Sequence, residues 1–133
     1  MSWYLRNDKT NWYMHVRQEM KKVIILIPVY NDWKSLEKLI EEINISINEI
    51  NNVDFKCLII NDFSSETITK LKVPSNISSI TLVNMKKNQG HARCNAFGIQ
   101  HVAEKEDFDH LILMDGDGED RPEEIKPLIQ KAL

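Results

Sequence analysis

The stretch Val23-Ile24-Ile25-Leu26-Ile27-Pro28-Val29-Tyr30-Asn31-Asp32 decides the fold. It opens on a continuous apolar run, mostly β-branched and of strand length, with no polar residue to mark a solvent face. Such a run suits a strand buried on both sides, as in parallel sheets covered by helices. Pro28 closes the run and Tyr30-Asn31-Asp32 make a polar end. Asp32 is placed to cap a helix beginning at Trp33. Leu36, Leu39, Ile40, Ile43, Ile47 and Ile50 then recur at helical spacing as one apolar stripe, which Asn51-Asn52 ends.

Further along, Phe55–Ile60 reads as a second buried strand ending at Asn61-Asp62, and residues 63–79 as loop with at most a short helix broken at Pro74. Ile80–Val83 is a short third strand. From Gly90 to about Glu104 the spacing predicts a helix with Ala92, Ala96, Ile99 and Val102 inward. Leu111–Met114 is a fourth strand ending at Asp115. A last helix starts near Pro122, with Asp120 and Glu123 as a capping box, and Pro127 is expected to kink or end it. Strands alternating with helices point to an α/β fold, a mainly parallel sheet flanked by helices. Ligands of such sheets bind beyond the carboxyl ends of the strands. The polar ends Tyr30-Asn31-Asp32, Asn61-Asp62 and Asp115-Gly116-Asp117 should therefore converge.

The 133 residues suit one domain, and 42% apolar with 28% charged residues are ordinary for a globular protein. A net charge of −3 gives no basic field to hold nucleic acid. Ten of the twenty acids lie between Glu104 and Glu124, a cluster that is either solvated or holds a cation. Cys57 and Cys94 have neither metal-ligand nor disulfide spacing and read as small buried side chains in a reducing compartment. No apolar run reaches the roughly 20 residues of a membrane span, which leaves a cytoplasmic location, with a peripheral place at the inner face of the membrane as its extension. Residues 1–22 have no clean period and read as an N-terminal arm, loosely packed, with the domain at 23–133. The pairs Trp3-Tyr4 and Trp12-Tyr13 also suit a membrane interface.

Three of the loops carry chemistry. In Asp115-Gly116-Asp117 the glycine permits a bend that turns two carboxylates toward one hard cation, Mg²⁺ or Mn²⁺, of the kind that completes its shell with substrate phosphates. A solvated acidic turn is the plainer alternative. Asn61-Asp62 with Ser64 offers a fixed carboxylate to the ring N–H of a base, or else an Asx-type turn. Asn88-Gln89-Gly90 opens a helix whose amino end suits a phosphate, with Arg93 one turn in, or else it is an ordinary helix start.

Together these segments resemble the family-2 glycosyltransferases. Ile27-Pro28-Val29-Tyr30-Asn31 looks like that family's opening strand, and Ile60-Asn61-Asp62-Phe63-Ser64 like its second-strand motif. Asn88-Gln89-Gly90 followed by Gly98 resembles its phosphate-side helix, and Met114-Asp115-Gly116-Asp117-Gly118-Glu119-Asp120-Arg121-Pro122-Glu123 its metal motif. The last form, with asparagine at position 61, is most similar to the branch that transfers sugars to polyprenyl phosphates. The resemblance implies a GT-A (Rossmann-like) nucleotide-binding domain that takes a UDP- or GDP-linked sugar and transfers it with inversion. Pro28, Tyr30, Asp32, Asp62, Ser64, Asn88, Gly90, Arg93 and Asp115 are then the nucleotide-sugar-binding set, and Asp115 and Asp117 the metal ligands. Within that set the resemblance gives Tyr30 a place beside the base, Asp62 its reading, and Gly90 and Arg93 the diphosphate. The implied acceptor is a lipid phosphate at the membrane surface, and the sequence names no catalytic base.

Two departures stand out: Phe63 replaces the family's usual glycine, and Cys94 its usual alanine. Family members also continue into an acceptor-side region, so the domain is expected to be truncated, with an uncovered sheet edge that favours self-association. An inactive nucleotide-diphosphate-binding module and a flavodoxin-like domain without metal dependence are the alternatives.

Overall fold

In the computed structural model the described residues are 2–7, 12–17, 20–66, 68, 70–116 and 121–132. The elements follow in the order β1 (Ser2–Asn7), β2 (Trp12–Arg17), β3 (Lys21–Val29), α1 (Trp33–Ser46), β4 (Val53–Asn61), β5 (Ser79–Asn84), α2 (His91–Lys105), β6 (His110–Leu113), a 3₁₀ turn (Pro122–Glu124) and α3 (Ile125–Ala132). β3 to β6 form one four-stranded sheet in the order β5-β4-β3-β6, and every pair in it is parallel. The expected α/β architecture is present.

The apolar run of β3 works as a wall with two papered faces. Val23, Ile25, Ile27 and Val29 pack with Leu36, Leu39, Ile40 and Ile43 of α1 and with Ile125 and Ile129 of α3. Ile24 and Leu26 turn the other way, to Cys94 and Val102 of α2. Strand residues alternate faces, so a run with no polar member fills two cores at once. Full burial of each such side chain contributes about 1.5–3 kcal/mol.

Several expectations are corrected. Residues expected to be a loose arm form an antiparallel hairpin, with Ser2 opposite Arg17 and Asn7 opposite Trp12. α1 is regular only to Ser46, yet Ile47 stays 2% exposed in the core. Asp32 sits at the N-cap of α1 but makes no side-chain capping bond, and its carbonyl accepts the Leu36 N–H at 3.0 Å. No helix occurs among the described residues of 62–78. In α2 the buried residues are Cys94, Gly98 and Val102, while Ala92, Ala96 and Ile99 face solvent. Gly98 lies against Leu26: a Cβ there would lie 2.4 Å from Leu26 Cδ1, so that side chain would have to shift. α3 runs through Pro127, which lies in the helix's first turn, where a missing N–H leaves nothing unpaired. Asp120 of the expected capping box lies outside the described residues.

The acidic run is divided as well. Asp107 and Asp109 precede β6 and bind Lys22: its Nζ pairs with Asp107 at 2.7 Å, and its N–H donates to Asp109 Oδ2 at 2.8 Å. That pairing holds the Asp107 carboxyl below its ordinary range and raises the Lys22 ammonium. Asp115 follows β6 and lies at the opposite end of the sheet, beyond the roughly 13 Å that the four residues of β6 span.

Candidate functional site

The carboxyl ends of the strands bring the polar loops together, and hydrogen bonds hold them. Pro28 prepares the opening. The Asp62 N–H donates to Val29 O at 2.8 Å on the β4 side, and the Met114 N–H donates to Leu26 O at 3.0 Å on the β6 side. Backbone groups alternate sides along a strand, so Pro28, buried in the sheet, faces β6 where it has no N–H to give. The β3–β6 ladder accordingly ends at Leu26 and Leu113, and the chain after Met114 is released from β3. It does not go far: a Cβ at Gly116 would lie 3.4 Å from Pro28 O and from Ile27 Cγ2.

The first two loops are laced side to side. Asn31, at φ 57°, donates its backbone N–H to Ser64 Oγ at 2.9 Å and its Nδ2 to Ser65 Oγ at 3.0 Å. Its Oδ1 accepts the Glu66 N–H at 2.9 Å, and Trp33 Nε1 donates to Glu66 O at 3.1 Å. Ser64 therefore serves backbone, and the Asx-type turn is made by Asn61, whose Oδ1 accepts the Ser64 N–H at 3.0 Å. Within this lacing Phe63 takes φ 58°, the left-handed conformation natural to the glycine it replaces. For a residue with a Cβ that costs about 1–2 kcal/mol. Its ring is 56% exposed, and Tyr30 on the neighbouring loop is 46% exposed.

Asp62 is placed otherwise than the sequence implied. It is 1% exposed, and its carboxylate is turned inward to the start of α2. Oδ1 accepts the Gln89 N–H at 2.6 Å and Oδ2 the Gly90 N–H at 2.9 Å, while Asn88 Nδ2 donates to Asp62 O at 3.1 Å. The Cys94 thiol also bonds this carboxylate, which, second to burial, pushes that thiol up to about 12. Asp62 thus anchors the amino end of α2. Gly90 takes φ 86° and ψ 158°, a region nearly confined to glycine, with nothing within 4 Å of where a Cβ would be. Among the described residues nothing fills that position, and the helix dipole adds positive potential there. Arg93 is exposed one turn in, its Nη1 on Gln89 Oε1 at 3.2 Å.

Asp115 completes the ring. Its Oδ1 lies 3.9 Å from His91 Nδ1, and both side chains are half-exposed. His91, the first residue of α2, is missing from the residues expected from sequence; standing directly after Asn88-Gln89-Gly90 is its only signal. Asp115 fits a hard cation as an accessible carboxylate oxygen donor. Asp117, the second expected ligand, lies outside the described residues, as do Gly118, Glu119 and Asp120. Among the described residues no group of three metal-ligating side chains occurs. Nor is any helix among them long and apolar enough to cross a membrane. Asp32 is exposed at the rim.

Residues 24–133 match the family described as Glycosyl transferase family 2. Three similar curated proteins are each named undecaprenyl-phosphate 4-deoxy-4-formamido-L-arabinose transferase, from Salmonella choleraesuis, Salmonella paratyphi B and Salmonella newport. Each is 32% identical over 116 residues, covering 85% of this chain and 34% of the relative. The chain spans about a third of the length of these relatives.

Proposed function

The chain belongs to the family 2 glycosyltransferases, and from that premise we propose that it forms the donor-binding part of an enzyme that moves a sugar from a nucleoside diphosphate to a polyprenyl-type lipid phosphate. The supporting observation is the convergence of the β3, β4 and β6 ends on the amino terminus of α2, where Asp62 binds Gln89 and Gly90 and Asp115 lies 3.9 Å from His91. Membership of this family displaces the flavodoxin-like alternative. The relatives' names supply the lipid-phosphate acceptor.

In this reading the base of a UDP- or GDP-linked sugar rests beside Tyr30, at the laced loops. The diphosphate lies before α2, over the space that Gly90 leaves, with Arg93 beside it. Asp62 acts through the backbone by fixing where the N–H groups of that helix point, a positioning role. Asp115 and Asp117 would hold Mg²⁺ or Mn²⁺, and the ion would supply positive charge to the diphosphate leaving group. An acceptor phosphate oxygen attacks the anomeric carbon from the face opposite the diphosphate. The new C–O bond forms as the bond to the diphosphate breaks, and the configuration inverts. A lipid phosphate is already ionised, so the step needs no strong general base.

A thermal-shift panel of UDP, GDP, CDP and ADP, each with and without Mn²⁺, tests this on the wild type and on Asp117→Asn. Ligand at about 100 times its Kd stabilises by about 2.7 kcal/mol, several degrees for a domain of this size. The expected result is a metal-dependent shift with UDP or GDP that the variant loses. No shift with any nucleotide would remove the proposal.

A further inference from the structure

We propose that Phe63 is a stacking residue for the nucleobase of the donor and that this contact is what keeps an aromatic ring at a position built for glycine. The inference rests on the donor-site reading above and extends it to a residue that departs from the family pattern.

Phe63 contributes little to the fold that a glycine would not. Its backbone sits at φ 58°, where a side chain is a burden, and its ring is 56% exposed rather than packed. The loop's shape is held by other groups: Asn61 Oδ1 on the Ser64 N–H, Ser64 Oγ on the Asn31 N–H, and Asn31 Oδ1 on the Glu66 N–H. Glycine there would relax the backbone and remove an exposed apolar ring. A residue unfavourable on both counts is compensated outside the fold, by something it touches.

The position identifies that something as flat and apolar-faced. Phe63 follows Asp62 directly, at the carboxyl end of the sheet. The bond from Asn31 N–H to Ser64 Oγ at 2.9 Å sets the Tyr30 loop beside it, and each of the two joined loops carries an exposed ring. Aromatic side chains hold bases by their π-faces with little dependence on base identity. The chemical class is therefore the nucleobase of a nucleoside diphosphate, with the rings supplying affinity and other groups the choice of base.

Calorimetric titration of UDP and GDP with Mn²⁺, on the wild type and on Phe63→Trp, Phe63→Leu and Phe63→Gly, separates this role from a structural one. Affinity should be kept in the tryptophan variant and fall about 5- to 150-fold in the leucine and glycine variants. The ligand-free melting temperature of Phe63→Gly should equal or exceed that of the wild type. Equal affinity in the glycine and tryptophan variants would overturn the inference and leave the donor site standing. A wild type that binds neither nucleotide would overturn both.

Discussion

Asp62→Asn is the substitution that best separates an anchor from a ligand contact. In the native chain both carboxylate oxygens accept backbone N–H groups, at 2.6 Å from Gln89 and 2.9 Å from Gly90, in a side chain 1% exposed. Asparagine has the same shape but only one acceptor. Whichever way the amide turns, one backbone N–H meets an NH₂ group. The loss is one hydrogen bond to a charged acceptor, about 1.5–3 kcal/mol, together with the desolvation of a buried N–H, about 1–3 kcal/mol. Allowing for overlap and local relaxation, the expected destabilisation is about 2–4 kcal/mol, a large part of the 5–15 kcal/mol typical of a domain. Urea unfolding followed by circular dichroism should show the midpoint falling by about 1 M or more with little change in slope. Asp62→Ala should be at least as damaging, because both N–H groups lose their partner. A Asp62→Asn chain within about 0.5 kcal/mol of wild type that has nonetheless lost nucleotide binding would refute this reasoning and return Asp62 to the role of reading the base.

Two further outcomes follow from the buried cores on either side of the sheet. Gly98→Ala places a Cβ at 2.4 Å and 2.7 Å from the Leu26 methyls, and overpacking of about 1–3 kcal/mol should outweigh the roughly 1 kcal/mol that alanine gains in helix propensity. In a Leu26→Ala background the same change should become neutral or stabilising, and a double-mutant cycle without coupling would refute the close approach. Cys57 and Cys94 are both buried free thiols pushed up to about 12, mainly by burial. Because the folded values lie above the ordinary 9.0, stability is full below about pH 9 and is lost as pH rises toward 12. An aromatic disulfide reagent at pH 8 should label neither thiol until the chain unfolds, and rapid labelling of either in the native chain would contradict that burial.

The sheet was legible because Val23–Ile27 and Phe55–Ile60 are mainly apolar runs of strand length ended by turn-forming residues, a pattern that suits strands buried on both faces. The inward face of α2 was legible at Cys94 and Val102 but not at Gly98. Hydrophobicity favours Ala92, Ala96 and Ile99, whereas the contact with Leu26 selects for absence of side chain at Gly98, and absence carries no hydropathy signal. Likewise Asp62 and Ser64 could be picked out as candidates from their place after a strand. Which way a carboxylate turns, toward a ligand or toward two N–H groups 27 and 28 positions away, depends on where α2 begins in space. The division of the acidic run was not legible either, since β6 passes through it and carries Asp107 and Asp109 to the end of the sheet away from Asp115. The hairpin before β3 lacks a strict two-residue alternation of hydrophobicity, the signal by which short strands are found.

The order β5-β4-β3-β6 also sets a timetable. β3 leaves the ribosome before any strand it will pair with, and its partner β6 comes 87 positions later at the Val23–His110 register pair. Until then one edge of the most apolar strand in the chain stays open, with α1 and β4 able to cover only part of it. Sheets assembled from contacts so distant in sequence fold slowly, because loop closure must precede the contacts that reward it. Synthesis at about 5–20 residues per second makes that interval several seconds long. The segment that most firmly defines the finished fold is therefore also the one a nascent chain must shield longest.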